Sequence, residues 1–220
     1  WNKEVGWMAS DLWMEGKPVE ASPRVMLKKQ IGRLSKKNMI LKTGVESEYF
    51  LINSEGTAIS DLRDTQSKPC YDQSALMRQY SLIKEICDSM IKLGWAPYQN
   101  DHEDANGQFE MNWNYSDSLT TADRHVFFKF MVKTIAEKHG LRATFMPKPF
   151  EKLTGNGCHA HVSLWSGNKN LFLDKGDRLG LTKLAYNFLG GILYSAEGLS
   201  AFFNPSINSY RRIDAPAPTS

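Results

Sequence analysis

The chain has 220 residues, 41% of them hydrophobic and 23% charged, which suits one globular domain or one and a half with a sizeable core. Its 27 basic and 24 acidic residues leave a formal charge of +3, too balanced to argue for a nucleic-acid or membrane surface as partner. No apolar run approaches membrane-span length, no signal peptide is visible, and Cys70, Cys87 and Cys158 are scattered without a CxxC pair, as expected of reduced thiols in a cytoplasmic protein.

Residues 1–20 are short apolar pieces around "EGKP", which reads as a hairpin turn. "SPRVMLKKQIGRLSKKN" (22–38) predicts an amphipathic helix, with Ser22 as N-cap, Pro23 in the first turn and Val25, Met26, Ile31 and Leu34 apolar. "ILKTGVESEYFLI" (40–52) is rich in β-favouring residues and reads as a strand. Over 73–93, Leu76, Tyr80, Ile83, Cys87, Met90 and Ile91 recur at helical spacing, with Gly94 as the stop. "WAPYQND" and "GQFEMNWNY" read as strands around a turn at "EDANG". Asp117 to His139 is a second long helix with a stripe of Phe127, Phe130, Met131 and Ile135, ended by Gly140. Residues 141–146 and 157–165 read as strands, and Leu179 to Ser195 as a third helix. Helices separated by hairpin-like strands indicate an α/β or α+β enzyme with a largely antiparallel sheet. The chain opens on Trp1 and stops at "APAPTS", so a fragment of something longer is expected.

Strand side chains alternate between faces, so Glu46 and Glu48 share one face. Gln108, Glu110 and Asn112 share another, opposite Phe109, Met111 and Trp113. His159, His161 and Ser163 share a third, opposite Val162 and Leu164. Taken singly, each reads as the solvent face of an ordinary strand. Together they are unusual, because they carry carboxylates, imidazoles and amides in place of Lys, Thr and Arg. Glu46, Glu48, Glu103, Glu110 and the His-x-His pair are candidates for one site. Carboxylates packed together repel, and hard oxygen donors with imidazoles favour Mg²⁺ or Mn²⁺ over a structural Zn²⁺.

Competing motifs fail on context. "GNGCHA" (155–160) has the G-x-G-x-x-A form of a dinucleotide fingerprint but opens a strand, where that fingerprint must open a helix. "HEDAN" (102–106) starts like a zinc-protease HExxH, but Asn106 replaces the second ligand. No G-x-x-x-x-G-K-[ST] phosphate loop occurs, and Cys158 has no base pattern nearby and reads as a packing residue.

Four segments, in order over 44–213, resemble the glutamine synthetase family: "GVESEYF", "HEDANGQFE", "GNGCHAHVSLW" and "FFNPSINSYRRI". "KPCYD", "DHEDANGQFE" and "FMPKPF" resemble the branch that includes γ-glutamylmethylamide synthetases. The resemblance implies an α+β fold: residues 1–20 as the end of an N-terminal β-grasp domain, and 21–220 as the first part of a catalytic domain with an antiparallel sheet and flanking helices. It implies that Glu48, Glu103 and Glu110 hold the metal that positions glutamate, and that Glu46 and His159 hold the metal bridging the ATP phosphates. Gly155 matches a glutamate-binding backbone position, His161, Val162 and Ser163 a nucleotide-side strand, and Arg212 the arginine that holds substrate carboxylate and developing phosphate charge.

The implied reaction is ATP-dependent ligation of the L-glutamate γ-carboxylate to ammonia or a small alkylamine such as methylamine, through γ-glutamyl phosphate. The implied assembly is a large homo-oligomer with sites between subunits. Two features depart from the family pattern. Thr154 stands where the family has Asn, and "IDAPAPTS" lacks the flap Glu that helps deprotonate ammonium. A catalytically inactive relative with a structural role and a His-x-His metal oxygenase are the alternatives.

Overall fold

The computed structural model describes residues 1–215. Near the start, β1 (Trp13–Met14) and β2 (Lys17–Pro18) form the expected small hairpin. Its two turn residues, Glu15 and Gly16, have φ of 50° and 73°, the left-handed pair that a two-residue hairpin turn requires. Helix α1 (Pro23–Ser35) follows, with Pro23 in its first turn; Ser22 occupies the N-cap position, but its side chain makes no cap bond. Strand β3 (Ile40–Ile52) runs for 13 residues, as predicted.

The single helix expected over 73–93 is two: α2 (Gln73–Arg78) and α3 (Tyr80–Lys92). The break is at Gln79, whose φ of −102° and ψ of 11° leave the helical region. The cause is tertiary. Gln79 donates to Ser60 Oγ at 3.3 Å and Arg78 pairs with Asp61, so α2 is tied to the preceding loop instead of continuing α3. Of the predicted stripe, Ile83 and Met90 are buried, whereas Tyr80 and Ile91 are exposed.

Strand β4 (Pro97–His102) starts two residues later than expected, because Ala96 sits at φ 51°. Then come β5 (Gln108–Trp113), β6 (Ser116–Asp117) and α4 (Ser118–Lys138), the last capped by Asp117 accepting from the Thr120 N–H. Gly140, at φ 72°, ends α4 as predicted. Strand β7 is only Arg142–Thr144, shorter than the predicted 141–146. Past the Thr144–Phe50 pair, the Asn156 side-chain amide donates to the carbonyls of Thr144 and Met146 and ties this end of the strand to the glycine turn. Strand β8 (Cys158–Ser166) and the short β9 (Lys169–Asn170) complete the sheet.

Helix α5 (Lys183–Tyr194) begins after the predicted Leu179, since Asp177 accepts from the Leu179 and Leu181 N–H groups and holds that stretch as a loop. Two further helices, α6 (Ala196–Phe203) and α7 (Ile207–Ile213), were not anticipated; Pro205 lies between them. Cys158 is exposed, so it is not the packing residue expected from sequence.

All pairings in the sheet are antiparallel, in the order β4-β5-β3-β8-β9, with β6 and β7 also bonded to β3. One face is the core. Tyr49, Leu51, Phe109, Met111 and Trp113 pack there against Ile86 and Met90 of α3 and Phe128, Met131 and Val132 of α4. Phe128 and Val132 join the predicted Phe127, Met131 and Ile135, while Phe130 is exposed. The opposite face carries the polar residues.

Candidate metal and active site

Register assembles the site. On β3 and β5, Glu48 lies directly opposite Glu110; on β3 and β8, Glu46 lies opposite His159 and Gly44 opposite His161; on β4 and β5, Asp101 lies opposite Glu110. Directly opposed residues share a face. Four neighbouring strands therefore deliver their polar residues to the same side of the sheet. Glu103 joins from the residue after β4, where its N–H donates to the Gln108 carbonyl at 2.9 Å. Gln108, Glu110 and Asn112 are 0%, 6% and 3% exposed, so this face of β5 is an interior surface, not the ordinary solvent face that each strand alone suggests.

Two sets of ligand atoms lie close enough to share an ion. Oxygens of Glu46 and Glu110 and a nitrogen of His159 are within 4.8 Å of one another, as are oxygens of Asp101, Glu103 and Glu110. Glu110 belongs to both. His159 Nδ1 is 3.3 Å and His161 Nε2 2.9 Å from the Glu46 carboxylate. Burial, followed by the charges of Glu48, Glu110, Asp101 and Asp104, pushes the Glu103 carboxyl up to about 7. Burial also raises Glu110, opposed by the Asn112 amide donating to it. An oxygen-rich donor set with one imidazole, whose carboxylates resist ionising together, fits a hard divalent cation such as Mg²⁺ or Mn²⁺.

The grouping differs in detail from the sequence expectation. Asp101 enters beside Glu103, and Glu48 is engaged differently. Its Oε2 accepts from the Gly157 N–H at 2.8 Å and from Gln108 Nε2 at 3.0 Å. Gln108 also donates to the Gly155 carbonyl and to Asn156 Oδ1, while its own oxygen accepts from the Ala105 N–H. This buried amide thus joins Glu48, the glycine turn and the β4–β5 turn. In the sequence Gln108 stands out only as a neighbour sharing the face of Glu110. Asp101 and Asn156 lie inside the segments "DHEDANGQFE" and "GNGCHAHVSLW" but carry no assigned role there. Strand alternation would have found Asp101, two residues before Glu103, whereas the reach of Gln108 depends on a contact 47 residues away in the chain.

The two glycines of the turn leave room for close neighbours. A Cβ on Gly155 would fall 2.5 Å from the Pro147 carbonyl oxygen and 2.9 Å from Arg212 Cγ. One on Gly157 would fall 2.9 Å from Glu48 Oε1 and 3.2 Å from His159 Nε2. Arg212, on α7, therefore lies against Gly155, and its Nε is buried without a hydrogen-bond partner among the described residues. Thr154 donates to Asp104 at 2.7 Å. Along β8, His161 and Ser163 lie on the polar face and Val162 on the other; Ser163 Oγ accepts from Trp165 Nε1 at 2.8 Å. Of the flap segment, residues 216–220 lie outside the described residues.

The chain is similar to known proteins along its length. Residues 20–219 match the family described as glutamine synthetase, catalytic domain. The chain is 60% identical over 222 residues to a glutamine synthetase of Rhizobium leguminosarum bv. phaseoli, covering 100% of this chain and 51% of the relative. It is 42% identical over 217 residues to a glutamate–methylamine ligase of Methyloversatilis universalis, covering 97% and 49%. A solved GmaS/ADP complex superposes with a TM-score of 0.95 at 60% identity, covering 100% of this chain and 51% of that one. The chain spans about half the length of the curated relatives it matches.

Proposed function

Because the chain belongs to the glutamine synthetase family, through its catalytic domain, we propose that the protein containing it ligates the γ-carboxylate of L-glutamate to ammonia or a small alkylamine at the expense of ATP. The observation that carries this reading is the in-register face of Glu46, Glu48, Glu110 and His159, with Glu103 beside it. A carboxylate is a poor electrophile. Its γ-oxygen attacks the γ-phosphorus of ATP, ADP leaves, and the acyl phosphate is attacked by the neutral amine, which expels phosphate and loses a proton. Anion meets anion in the first step, so neutralising charge is the main catalytic demand.

Glu103 and Glu110, with Asp101 beside them, are assigned to one Mg²⁺ or Mn²⁺, and Glu46, Glu110 and His159 to a second; Glu48, opposite Glu110, is assigned to the first on the family resemblance. Such ions, when bound, screen the phosphate oxygens and orient the two reactants. Arg212, whose buried Nε has no acceptor among the described residues, is suited to bind oxyanions of glutamate or the transferred phosphoryl group, with Gly155 shaping that end of the pocket. His161, Val162 and Ser163 form the nucleotide-side strand. Residues 1–20 are assigned to the end of an N-terminal β-grasp domain and 21–220 to the catalytic domain. The active assembly is a cytoplasmic homo-oligomer with sites between subunits.

For the amine, methylamine or a similar alkylamine is favoured. The segments "KPCYD" and "FMPKPF" and the flap residues without Glu support it, as does similarity to a ligase named for methylamine. The test compares kcat/KM for ammonia and methylamine in the full-length protein at saturating glutamate and Mg·ATP. One methyl is worth only about 1–3 kcal/mol, or roughly 10–200-fold, so a few pocket residues can set the preference. Ammonia preferred by more than about a hundredfold overturns the alkylamine assignment; absence of any ATP-dependent ligation overturns the ligase reading. Arg212→Lys lowers kcat/KM if the guanidinium binds two oxygens, since an ammonium cannot.

A further inference from the structure

We infer that Asp64, in the loop between β3 and α2, is a positioning residue for the metal cluster, acting through the β4–β5 turn. This rests on the metal-dependent reading of the site above. Asp64 is 4% exposed and belongs to none of the ligand groups. Three donors converge on it: His102 Nε2 at 2.8 Å, the Asn106 side-chain amide at 2.9 Å and the Gly107 N–H at 2.6 Å. All three belong to the segment from the end of β4 to the start of β5, the stretch that spaces Glu103 from Glu110.

The connection to Glu103 is direct. His102 is fully buried on the core face, edge-on to Phe109 at 5.1 Å, and its Nδ1 lies 2.9 Å from the Glu103 carbonyl. Both ring nitrogens thus face oxygen acceptors, and the imidazole bridges Asp64 to the Glu103 backbone. At the other end of the turn, Gly107 is held at φ 76°, where a Cβ would fall 2.9 Å from Ile59 Cβ, and its carbonyl accepts from the Leu51 N–H of β3. A carboxylate at position 64 can accept from all three donors at once. The turn between them cannot twist without breaking one of these bonds, so the backbone carrying Glu103 is fixed relative to Glu110. Mutually repelling carboxylates would otherwise splay apart before an ion arrives. Outer partners of this kind typically alter metal affinity by about 10–100-fold.

The test is Mn²⁺ binding to the full-length protein, followed by electron paramagnetic resonance of free Mn²⁺ and without turnover, with thermal unfolding measured separately. In Asp64→Asn an NH₂ faces donors where an acceptor stood, so at least one of the three bonds is lost. The expected result is Mn²⁺ affinity lower by about 10–100-fold at temperatures where the variant is folded. His102→Gln is the second variant, since an amide can still donate toward Asp64 but has no second ring nitrogen beside the Glu103 carbonyl; it should also weaken Mn²⁺ binding. Affinity within twofold of the parent in folded Asp64→Asn, or in folded His102→Gln should the first not fold, overturns the assignment. If neither folds, Asp64 is a framework residue and the positioning role is likewise overturned. A parent protein that binds no Mn²⁺ refutes the metal reading itself, a different outcome.

Discussion

Glu110 faces Glu48 directly across the β5–β3 ladder, with Asp101 opposite Glu110 on its other side. Like charges directly opposed destabilise a sheet, and here three occupy one row. Glu110 is also common to both ligand groups, whereas Glu46 belongs to one. Glu110→Gln should therefore weaken both Mn²⁺ sites by more than the roughly 10–100-fold typical of outer partners, and Glu46→Gln only one. The metal-free Glu110→Gln protein should melt higher than the parent. Calorimetric titration with Mn²⁺ and a thermal scan in chelator check both; two intact Mn²⁺ sites in Glu110→Gln would remove it from the cluster.

Glu103 gives the site a pH signature. Its carboxyl is raised from 4.5 to about 7, first by burial and then by Glu48, Glu110, Asp101 and Asp104. The folded state thus holds this proton more tightly than the unfolded state. Its contribution to stability is fully present below about pH 4.5 and is lost as pH rises toward 7. Metal must displace the same proton, so Mn²⁺ affinity should climb up to about pH 7 and then level off. Glu103→Gln should flatten the pH dependence of metal-free stability between those values. An unchanged slope in that variant counts against Glu103 as its source.

The two turn glycines should fail differently. In Gly155→Ala the new methyl meets the backbone carbonyl of Pro147 at 2.5 Å, which cannot move without dragging the loop, so stability should fall by about 1–3 kcal/mol. In Gly157→Ala it meets the end of the Glu48 side chain and the His159 ring, which can rotate away. That variant should fold nearly as well as the parent and bind Mn²⁺ more weakly. Urea unfolding and metal titration on both separate the cases; the reverse pattern would show that the turn relaxes in another way.

Phe128 is fully buried and touches Tyr49, Trp113 and Phe145 with ring centroids at 6.2, 5.0 and 6.0 Å. With Met131 and Val132, it joins α4 to the back of the strands that carry Glu48 and Glu110. Phe128→Ala should cost about 3–5 kcal/mol of stability by leaving a cavity. Denaturant unfolding measures it, and a loss below about 1 kcal/mol would mean that the core collapses around the gap.

Much of the layout is legible in the sequence because it depends on local chemistry. Period-two alternation puts Glu46 with Glu48 and His159 with His161 before any neighbour is known. Gly140 and Asp117 bound α4 through backbone conformation and capping, both properties of a few adjacent residues. The break at Gln79, the short β7 and the late start of α5 are not legible. Each depends on a side chain that competes for backbone or fixes a neighbour: Asp61 on Arg78, Asn156 on Thr144 and Met146, Asp177 on Leu179 and Leu181. The same division runs through the site. Alternation nominates the carboxylates and imidazoles, but their convergence follows from strand register, which pairs residues 62 and 113 positions apart in Glu48–Glu110 and Glu46–His159. The hydrogen bonding of Asp64 and Gln108 stands furthest from any sequence signal. Their roles consist of hydrogen bonds that close when distant segments are packed against one another and water is excluded, a condition that no local pattern encodes.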